Sequence, residues 1–358
     1  MKIGIITFHN AINYGAVLQC YALQEVIRSM GHEVEVVDYR NDYIENRRYR
    51  NALNRRLIVR NLLTMRFSAF AEQISIQKAG KRKAKLFSDF RKRFLCISKN
   101  QYFKDSLYDY DICIIGSDQM WSFACTDGYD NVYFGEFKRP QGSRLASYAI
   151  SSSCDFSNKL KKEKVAELIS SFDYLSFREQ KVCDVVKTIT GRDSIITLDP
   201  TLLAESKLWA PIINDEWKKK EYVALYQVRY PREDKFIIER KGREYAKAHN
   251  LDFINITDGG YSVQDFISII KNAKCVFTSS FHATVFSIIF KTPLVSFLLH
   301  DGFDERYENL LKALGEDQCI HELLEDNIIP EDFDSKKLDN ALANLKQSSL
   351  NYITQILS

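Results

Sequence analysis

The sequence lacks a long hydrophobic run and a strong excess of either charge. No apolar segment of the 358-residue chain approaches the roughly 18 residues that a membrane-spanning helix needs. The N-terminal stretch MKIGIITF turns polar at His9-Asn10, too soon for a signal peptide. The 50 Lys and Arg nearly balance the 47 Asp and Glu, which argues against a dedicated nucleic-acid-binding protein. We therefore expect a cytoplasmic protein that meets a membrane, if at all, at its inner face.

The usual signatures of metal and nucleotide sites are missing as well. The eight cysteines are scattered, with no CxxC pair and no metal-ligand spacing, so we expect reduced, mostly buried thiols and no metal site. The chain has no GxxxxGK[ST], GxGxxG or HExxH motif. The sequence therefore does not indicate a metal-dependent nucleotide-sugar enzyme or a bound cofactor.

Short apolar runs alternate with amphipathic segments along most of the chain. Residues 3–8 predict a strand, residues 15–30 carry apolar side chains at helical spacing, and EVEVVDY predicts the next strand, which together form a βαβ unit. The second half repeats this alternation from EYVALYQV to PLVSFLL. We therefore predict an α/β protein with two Rossmann-like domains, residues 1–205 and 206–358, the second ending in a helical tail.

A basic block interrupts the first predicted domain at about residues 42–100. Between Arg47 and Arg93 there are fifteen Lys or Arg against two acids, Glu72 and Asp89, an excess of +13. The block contains NLLTMRFSAF, so we predict a helical insertion rather than a disordered one. Its basic side chains form either an ordinary solvated face or a surface for anionic lipid or another anionic polymer.

The segment TSSFHATVFS places a histidine where a predicted strand gives way to a helix. Ser279 or Ser280 is positioned to cap that helix. His282 then falls in the first turn, where free N–H groups and the helix dipole favour a bound anion. A histidine beside a bound phosphate or carboxylate suits general-acid chemistry. The alternative is a capping histidine or one packed in the core.

Three other residues follow predicted strands, where open α/β sheets bind ligands. Arg178 in YLSFRE is suited to bind a phosphate or carboxylate, or it pairs locally with Glu179. Asp118 in GSDQMW is a candidate base for a substrate hydroxyl, or it caps the next helix. Trp121 could stack on a sugar ring, with core packing as the alternative.

Six segments in this order resemble the polysaccharide pyruvyl transferase family. They are NYGAVLQCYAL, IIGSDQMW, SYAIS, SFRE, LDPTLL and TSSFHATVFSIIFKTPLV, and they span roughly residues 3–297. The resemblance implies two Rossmann-like domains in a GT-B-like arrangement. It also implies transfer of a pyruvyl group from phosphoenolpyruvate to two hydroxyls of a sugar, with release of phosphate and formation of a ketal. Neither a metal nor a nucleotide takes part in that scheme.

The resemblance also implies roles for particular residues. His282 would act as the acid or contact phosphate, Arg178 would hold phosphate or carboxylate, and Asp118 would orient or deprotonate the acceptor hydroxyl. The donor side is expected to comprise Arg178, Ser279, Ser280, Phe281, His282 and Thr284. The acceptor side is expected to comprise Asn13, Tyr14, Gly15, Ser117, Asp118, Gln119 and Trp121.

One departure leaves other functions open. Many family members carry Arg where this chain has Ser280, so Arg229, Arg232 or Arg306 would have to replace it. The alternatives are a nucleotide-sugar glycosyltransferase on the same scaffold and a non-catalytic glycan-binding protein of a polysaccharide pathway. For the transferase we expect phosphoenolpyruvate as co-substrate and a capsule, exopolysaccharide or cell-wall precursor as acceptor. If the acceptor is lipid-linked, the basic block would hold the protein at the membrane.

Overall fold

The chain forms two compact units, each built around one parallel sheet. The computed structural model describes residues 1–44, 67–152, 162–326 and 328–358, with side chains omitted for residues 67–73. The units comprise residues 1–195 and 196–356. The sequence placed the division between residues 205 and 206. Residues 198–209 lie in the second unit, where Leu198 N donates to Ser349 Oγ (2.9 Å) and Trp209 packs edge-on against Phe286.

The first unit contains a seven-stranded sheet with the order β3-β2-β1-β4-β5-β6-β7. Its strands are β1 (Lys2–Ile6), β2 (Glu33–Tyr39), β3 (Ile97–Tyr102), β4 (Ile112–Asp118), β5 (Arg144–Ile150), β6 (Ser176–Phe177) and β7 (Ile195–Ile196). Its helices are α1 (Tyr14–Ser29), α2 (Phe67–Phe94), α3 (Phe123–Thr126), α4 (Lys162–Ser170) and α5 (Gln180–Thr190). The central strands β1 and β4 are apolar on both faces because helices cover both sides of a parallel sheet.

The first helix begins and ends at residues suited to these positions. Asn13 occupies the N-cap and accepts a hydrogen bond from Ala16 N at 3.2 Å. Gly31 follows the C-cap at φ +85°, a left-handed conformation that glycine adopts without strain. The predicted βαβ unit β1-α1-β2 is therefore confirmed.

The basic block contains one long helix followed by a strand. Helix α2 ends at Phe94, and residues 97–102, predicted as part of the helical insertion, form the edge strand β3 instead. That strand pairs in parallel with β2, where Val36 lies opposite Ile97, so its conformation depends on a partner distant in sequence. Arg47, Arg48, Arg55 and Arg56, the basic residues at the start of the block, lie outside the described residues.

The second unit contains a five-stranded sheet with the order β12-β11-β10-β8-β9. Its strands are β8 (Tyr222–Tyr226), β9 (Asp252–Asn255), β10 (Cys275–Thr278), β11 (Leu294–Phe297) and β12 (Ile320–His321). Its helices are α6 (Pro200–Leu203), α7 (Ser206–Trp209), α8 (Ile237–Ala248), α9 (Val263–Asn272), α10 (Phe281–Phe290), α11 (Glu305–Leu314) and α12 (Ser335–Leu357). Two parallel α/β sheets are the fold class that the sequence predicted, and α12 is the predicted helical tail.

Local signals also explain why α9 and α6 begin where they do. Ser262 caps α9 in a capping box with Asp265, directly before the apolar side chains of this helix. Of residues 194–203, only Ile195–Ile196 form a strand. Asp199 and Pro200 end the extended segment because they are well suited to the N-cap and first turn of a helix, here α6.

Candidate active site

A hydrogen-bonded chain links four strand ends, those of β1, β4, β5 and β6, at the carboxyl edge of the first sheet. Gln19 of α1 donates to Thr7 Oγ1 (2.8 Å) and accepts from Ser117 N (3.2 Å). Ser117 Oγ in turn donates to Ala149 O (3.1 Å) and accepts a hydrogen bond from Arg178 Nη2. The structure thus brings Arg178 and Ser117 together, although they are far apart in sequence. Because Ser117 is fully buried, its role is to position the guanidinium rather than to meet a ligand.

Asp118 lies beside this chain at a sharp bend that ends β4. Its φ is +89°, and Gly116 before it has a φ of +132°. A Cβ at residue 116 would lie 2.0 Å from Tyr148 O, so only glycine fits there. The Asp118 carboxylate is half-buried and accepts from Gln119 N (2.8 Å). The bend therefore leaves the Asp118 carboxylate at the end of the strand, where the sequence predicts a base for a substrate hydroxyl.

A second cluster occupies the ends of β1 and β2 and was not predicted from the sequence. His9 is buried, with Nε2 3.1 Å from Asp38 Oδ1 and Nδ1 3.3 Å from Thr7 O. Arg40 donates to both oxygens of Asp38 at 2.8 Å. Burial would raise the pKa of Asp38, but hydrogen bonds from His9 and Arg40 outweigh it and hold that pKa far below its usual range. With an acceptor at each ring nitrogen, His9 ties the two strand ends together.

The predicted acceptor residues at the start of α1 are mostly structural. Asn13 is exposed but serves as the N-cap, and Gly15 is buried within the helix. Tyr14 is 1% exposed and its ring packs on Phe87 of α2, with centroids 5.0 Å apart. The prediction that Tyr14 lines a sugar site is therefore wrong, because α2 covers its ring.

Trp121 was also predicted to contact the acceptor, and the structure contradicts this. Its side chain is fully buried and stacks on Phe134 with centroids 4.8 Å apart. Its Nε1 donates to Tyr133 O at 2.9 Å. No face of the indole is left for a sugar, so the alternative interpretation, core packing, is correct. Gln119 remains half-buried near the strand end, where its Oε1 accepts from Cys125 Sγ.

In the second unit, the carboxyl end of β10 leads directly into α10. Ser280 occupies the N-cap position, but its side chain makes no capping hydrogen bond, and Ser279 Oγ donates instead to Arg229 O (3.2 Å). The predicted hydroxyl cap is therefore wrong. Thr284 is fully buried with its hydroxyl 3.2 Å from Ser296 Oγ, so its side chain does not reach a ligand as predicted. The groups that α10 offers a ligand are the first-turn N–H groups, which have no intrahelical acceptor.

His282 lies in that first turn and faces a buried carboxylate. Its Nε2 is 3.6 Å from Asp199 Oδ2, and the two side chains are 11% and 0% exposed. The Phe281 ring packs edge-on against the imidazole with centroids 5.1 Å apart. Asp199 comes from LDPTLL, where sequence reasoning missed it. The available signal was an Asp-Pro pair at a helix start, which indicates a cap but not a histidine partner.

Three arginines were considered as substitutes for the arginine that many family members carry at the position of Ser280. One of them, Arg229, takes part in an ion-pair cluster. Its guanidinium binds Asp301, donates to Asp304 Oδ1 (3.0 Å) and donates to Ser279 O (3.2 Å). Burial would raise the pKa of Asp304, but hydrogen bonds from Tyr307 and Arg229 outweigh it and lower that pKa. The cluster therefore fixes the end of β10 relative to the loop after β11.

Arg306 packs against the ring of Phe281, the first residue of α10. Its guanidinium carbon is 5.9 Å from the centroid of the Phe281 ring, within the range of a cation–π contact. Its side chain is half-buried, whereas Arg232 is exposed. Arg306 therefore contacts the first residue of the helix at whose start the anion site is predicted.

Several other kinds of site are not found in the described ranges. No group of three or more His, Cys, Asp or Glu side chains there could hold a metal ion. No described helix is both long and apolar enough to cross a membrane. The seven cysteines described carry free thiols, and burial raises the pKa of Cys275 and Cys319 to about 12, so those thiols are poor nucleophiles.

Comparison with known proteins identifies the family. The model of the polysaccharide pyruvyl transferase family matches residues 13–301, well over half of the chain. The chain therefore belongs to the polysaccharide pyruvyl transferase family. It is accordingly a transferase enzyme of polysaccharide biosynthesis that acts on a saccharide acceptor. A search of curated proteins found no match.

Several solved structures share part of the backbone arrangement. UDP-GlcNAc 2-epimerase from Methanocaldococcus jannaschii has a TM-score of 0.46 at 13% identity, covering 100% of this chain and 99% of that one. The S. aureus MnaA-UDP co-structure has a TM-score of 0.42 at 13% identity, with 98% and 90% covered. E. coli ADP-heptose LPS heptosyltransferase II has a TM-score of 0.29 at 11% identity, with 100% and 98% covered. Likenesses this distant say nothing about the reaction of this chain.

Proposed function

We propose that the enzyme transfers a pyruvyl group from phosphoenolpyruvate to two hydroxyls of a sugar in a surface-polysaccharide precursor. The observation that carries the proposal is His282 in the first turn of α10, beside the buried carboxylate of Asp199. A helix start attracts an anionic donor, and a histidine there can supply a proton to it. Family membership supports the same reaction class.

The proposed reaction balances without a further reactant. The acid donates a proton to the methylene carbon of phosphoenolpyruvate, and the electron pair of the C=C bond forms the new C–H bond. One sugar hydroxyl adds to the electrophilic carbon that results, and the second hydroxyl displaces phosphate to close the ketal. Of the two hydroxyl protons, one restores the acid and the other passes through the base to the departing phosphate. This chemistry requires an acid, a base and cationic contacts for the donor.

The described residues can be assigned to these roles. His282 is the proposed acid, and the first-turn N–H groups of α10 bind the anionic donor. Arg178, positioned by Ser117, is the proposed contact for phosphate or carboxylate. Asp118 is the proposed base for the acceptor hydroxyl, since its carboxylate lies half-buried at the end of β4. No step of this scheme calls for a metal or a nucleotide.

Thermal stability in the presence of candidate donors tests the proposal. A ligand at about a hundred times its dissociation constant stabilises a protein by roughly 2.7 kcal/mol. We expect millimolar phosphoenolpyruvate to raise the melting temperature, and the rise to be lost in His282→Gln and Arg178→Gln. Stabilisation by a nucleotide sugar and not by phosphoenolpyruvate would favour glycosyl transfer. If only the sugar acceptor stabilises and both variants keep normal function, the protein is a glycan-binding component.

We further propose that the acceptor is lipid-linked and that α2 holds the enzyme at an anionic membrane surface. Six exposed basic side chains lie within an arc of about 120° at 100° per residue along this helix. They are Lys78, Lys81, Arg82, Lys85, Lys92 and Arg93. The apolar face of α2 packs on α1, with Phe90 against Tyr21, so the basic face points to solvent. Each such charge contributes about 1 kcal/mol to the binding free energy at an anionic bilayer.

A charge-matched pair of variants tests the membrane contact. We expect wild-type protein to sediment with phosphatidylserine-containing vesicles at low salt and to bind more than about tenfold more weakly when Lys78, Lys81, Arg82 and Lys85 become Gln. The control replaces the exposed Lys207, Lys218, Lys219 and Lys220 by Gln, an equal change in net charge. Equal binding by both variants, or none by wild type, would contradict a membrane role for α2.

A further inference from the structure

The His282–Asp199 pair joins two segments of the second unit. Asp199 begins α6, where its Oδ1 accepts from Thr201 N at 2.9 Å and also from the Thr201 hydroxyl. Its other carboxylate oxygen, Oδ2, lies 3.6 Å from His282 Nε2. One oxygen therefore anchors the carboxylate to a helix start while the other faces the imidazole. Because Asp199 is fully buried, this geometry is set by packing and not by solvent.

The chemistry of the pair restricts where the imidazole carries its proton. An ionised carboxylate only accepts hydrogen bonds, so an ionised Asp199 favours the tautomer with the proton on the facing nitrogen. His282 Nε2 is buried and makes no hydrogen bond within the described ranges, and Asp199 Oδ2 faces it at 3.6 Å. The His282 side chain is 11% exposed. Its second ring nitrogen is Nδ1. The neutral ring should therefore carry its proton on Nε2 and present the Nδ1 lone pair.

We propose that Asp199 is a positioning residue that fixes His282 in the Nε2–H tautomer and thereby makes Nδ1 the reacting nitrogen. This rests on the proposed pyruvyl transfer. In that reaction the doubly protonated ring gives its Nδ1 proton to the methylene carbon of the donor, and the C=C electron pair forms the C–H bond. The ring returns to the neutral Nε2–H form, and one acceptor hydroxyl restores the Nδ1 proton.

The separation of 3.6 Å is longer than a hydrogen bond. Catalytic hydrogen bonds are often long before the ligand binds and shorten in the complex. Protonation of the ring beside a bound anion would draw Asp199 and His282 together, since the ring then carries a full positive charge. The pair thus needs only a small side-chain movement to become a charge-assisted hydrogen bond.

The tautomer can be measured without any substrate. The chain has six histidines, so ¹⁵N-histidine labelling gives a tractable NMR spectrum, and His282→Gln identifies the resonances of His282. We expect the neutral ring of the native protein to carry its proton on Nε2. Asp199→Asn keeps an oxygen for the α6 cap but turns an amide N–H group towards Nε2. The expected result is inversion, with the proton on Nδ1.

A kinetic arm and a control variant complete the test. With phosphoenolpyruvate as donor, Asp199→Asn should lower kcat about a hundredfold, the range of general acid–base contributions, and change KM little. Thr201→Val removes the neighbouring hydroxyl but keeps the carboxylate, and should change neither tautomer nor kcat. A native ring protonated on Nδ1 would overturn the proposal whether or not Asp199→Asn folds, as would unchanged kcat in Asp199→Asn. If the wild type does not use phosphoenolpyruvate, the proposed function is wrong. The NMR measurement of the His282 tautomer then tests the positioning role of Asp199 by itself.

Discussion

At the scale of single residues, one buried hydroxyl contacts the Arg178 guanidinium. Ser117 Oγ receives a hydrogen bond from Arg178 and passes one on to Ala149 O. Ser147 makes a comparable buried contact one strand away, where its hydroxyl donates to Ser176 O at 3.0 Å. Both serines are buried, but Ser117 is the one that contacts Arg178, the proposed donor-binding residue. Ser147 is therefore a suitable control for a substitution at Ser117.

We predict that Ser117→Ala weakens binding of phosphoenolpyruvate more than it lowers stability. Losing a hydrogen bond to a charged group costs about 1.5–3 kcal/mol, which corresponds to a loss in affinity of roughly ten- to a hundredfold. Ser147→Ala should lower the melting temperature with little effect on affinity. Titration calorimetry and thermal melts of both variants give the comparison. The same loss of affinity in both variants would contradict a positioning role for Ser117.

At this scale the sequence predicted some site residues and missed others for definite reasons. Arg178 and His282 were found because each is a polar residue at the end of an apolar strand. Asp199 was missed because its nearness to His282 depends on the packing of α6. The opposite error was made for Tyr14 and Trp121, whose burial depends on Phe87 and Phe134. Periodicity shows which residues end a strand but not which neighbours cover them.

At the scale of elements, Arg229 joins the end of β10 to the loop between β11 and α11. Its partners Asp301 and Asp304 are 21% and 8% exposed on their side chains, so the cluster is largely buried. Asp304 Oδ2 also accepts from Leu299 N (2.7 Å) and His300 N (2.6 Å). The loop that follows β11 is thus organised around one carboxylate whose charge Arg229 balances.

We predict that Arg229→Met lowers the free energy of unfolding by about 3–5 kcal/mol, because it leaves two buried carboxylates without their cation. Arg243→Met is the control, since Arg243 pairs with Glu239 across one helical turn and is 57% exposed. That substitution should change stability by less than about 1 kcal/mol. Urea unfolding measures both. Comparable losses would show that the Arg229 cluster is not a stabilising feature of the second unit.

Elements were predictable where local pattern and local caps agreed. The capping box at Ser262 and the Gly31 ending of α1 are short-range signals, and both were present in the sequence. Strand β3 was not predicted, because its pairing with β2 is a long-range contact. Asp38 N, for example, donates a hydrogen bond to Ser98 Oγ, which is 60 residues away in the sequence.

At the scale of the whole molecule, each unit contains a carboxylate that is held ionised. The pKa of Asp38 in the first unit and the pKa of Asp304 in the second are both lowered, since hydrogen bonds from cationic and hydroxyl partners outweigh burial. A carboxyl whose pKa is lowered by folding adds stability above its ordinary pKa, near 4, and loses it as the pH falls through the lowered value. The unfolded chain then binds protons more strongly than the folded one.

We predict that the melting temperature stays high down to about pH 4 and falls steeply below it. Asp38→Asn and Asp304→Asn should each be less stable than wild type at neutral pH and lose less on acidification, because one titrating group is gone. Melting curves from neutral to acid pH measure this. A wild-type curve that is flat into the acid range, or variants with the wild-type slope, would contradict the assignment.

The central claim is that the carbon skeleton of phosphoenolpyruvate, without its phosphate, moves to a sugar. The most direct measurement uses phosphoenolpyruvate labelled separately in carbon and in phosphorus, incubated with the enzyme and a set of sugar acceptors that carry two neighbouring hydroxyls. We predict that the carbon label enters the sugar fraction, that the phosphorus label appears as inorganic phosphate, and that His282→Gln abolishes both. Phosphorus label in the sugar, or transfer only from a nucleotide sugar, would contradict the claim.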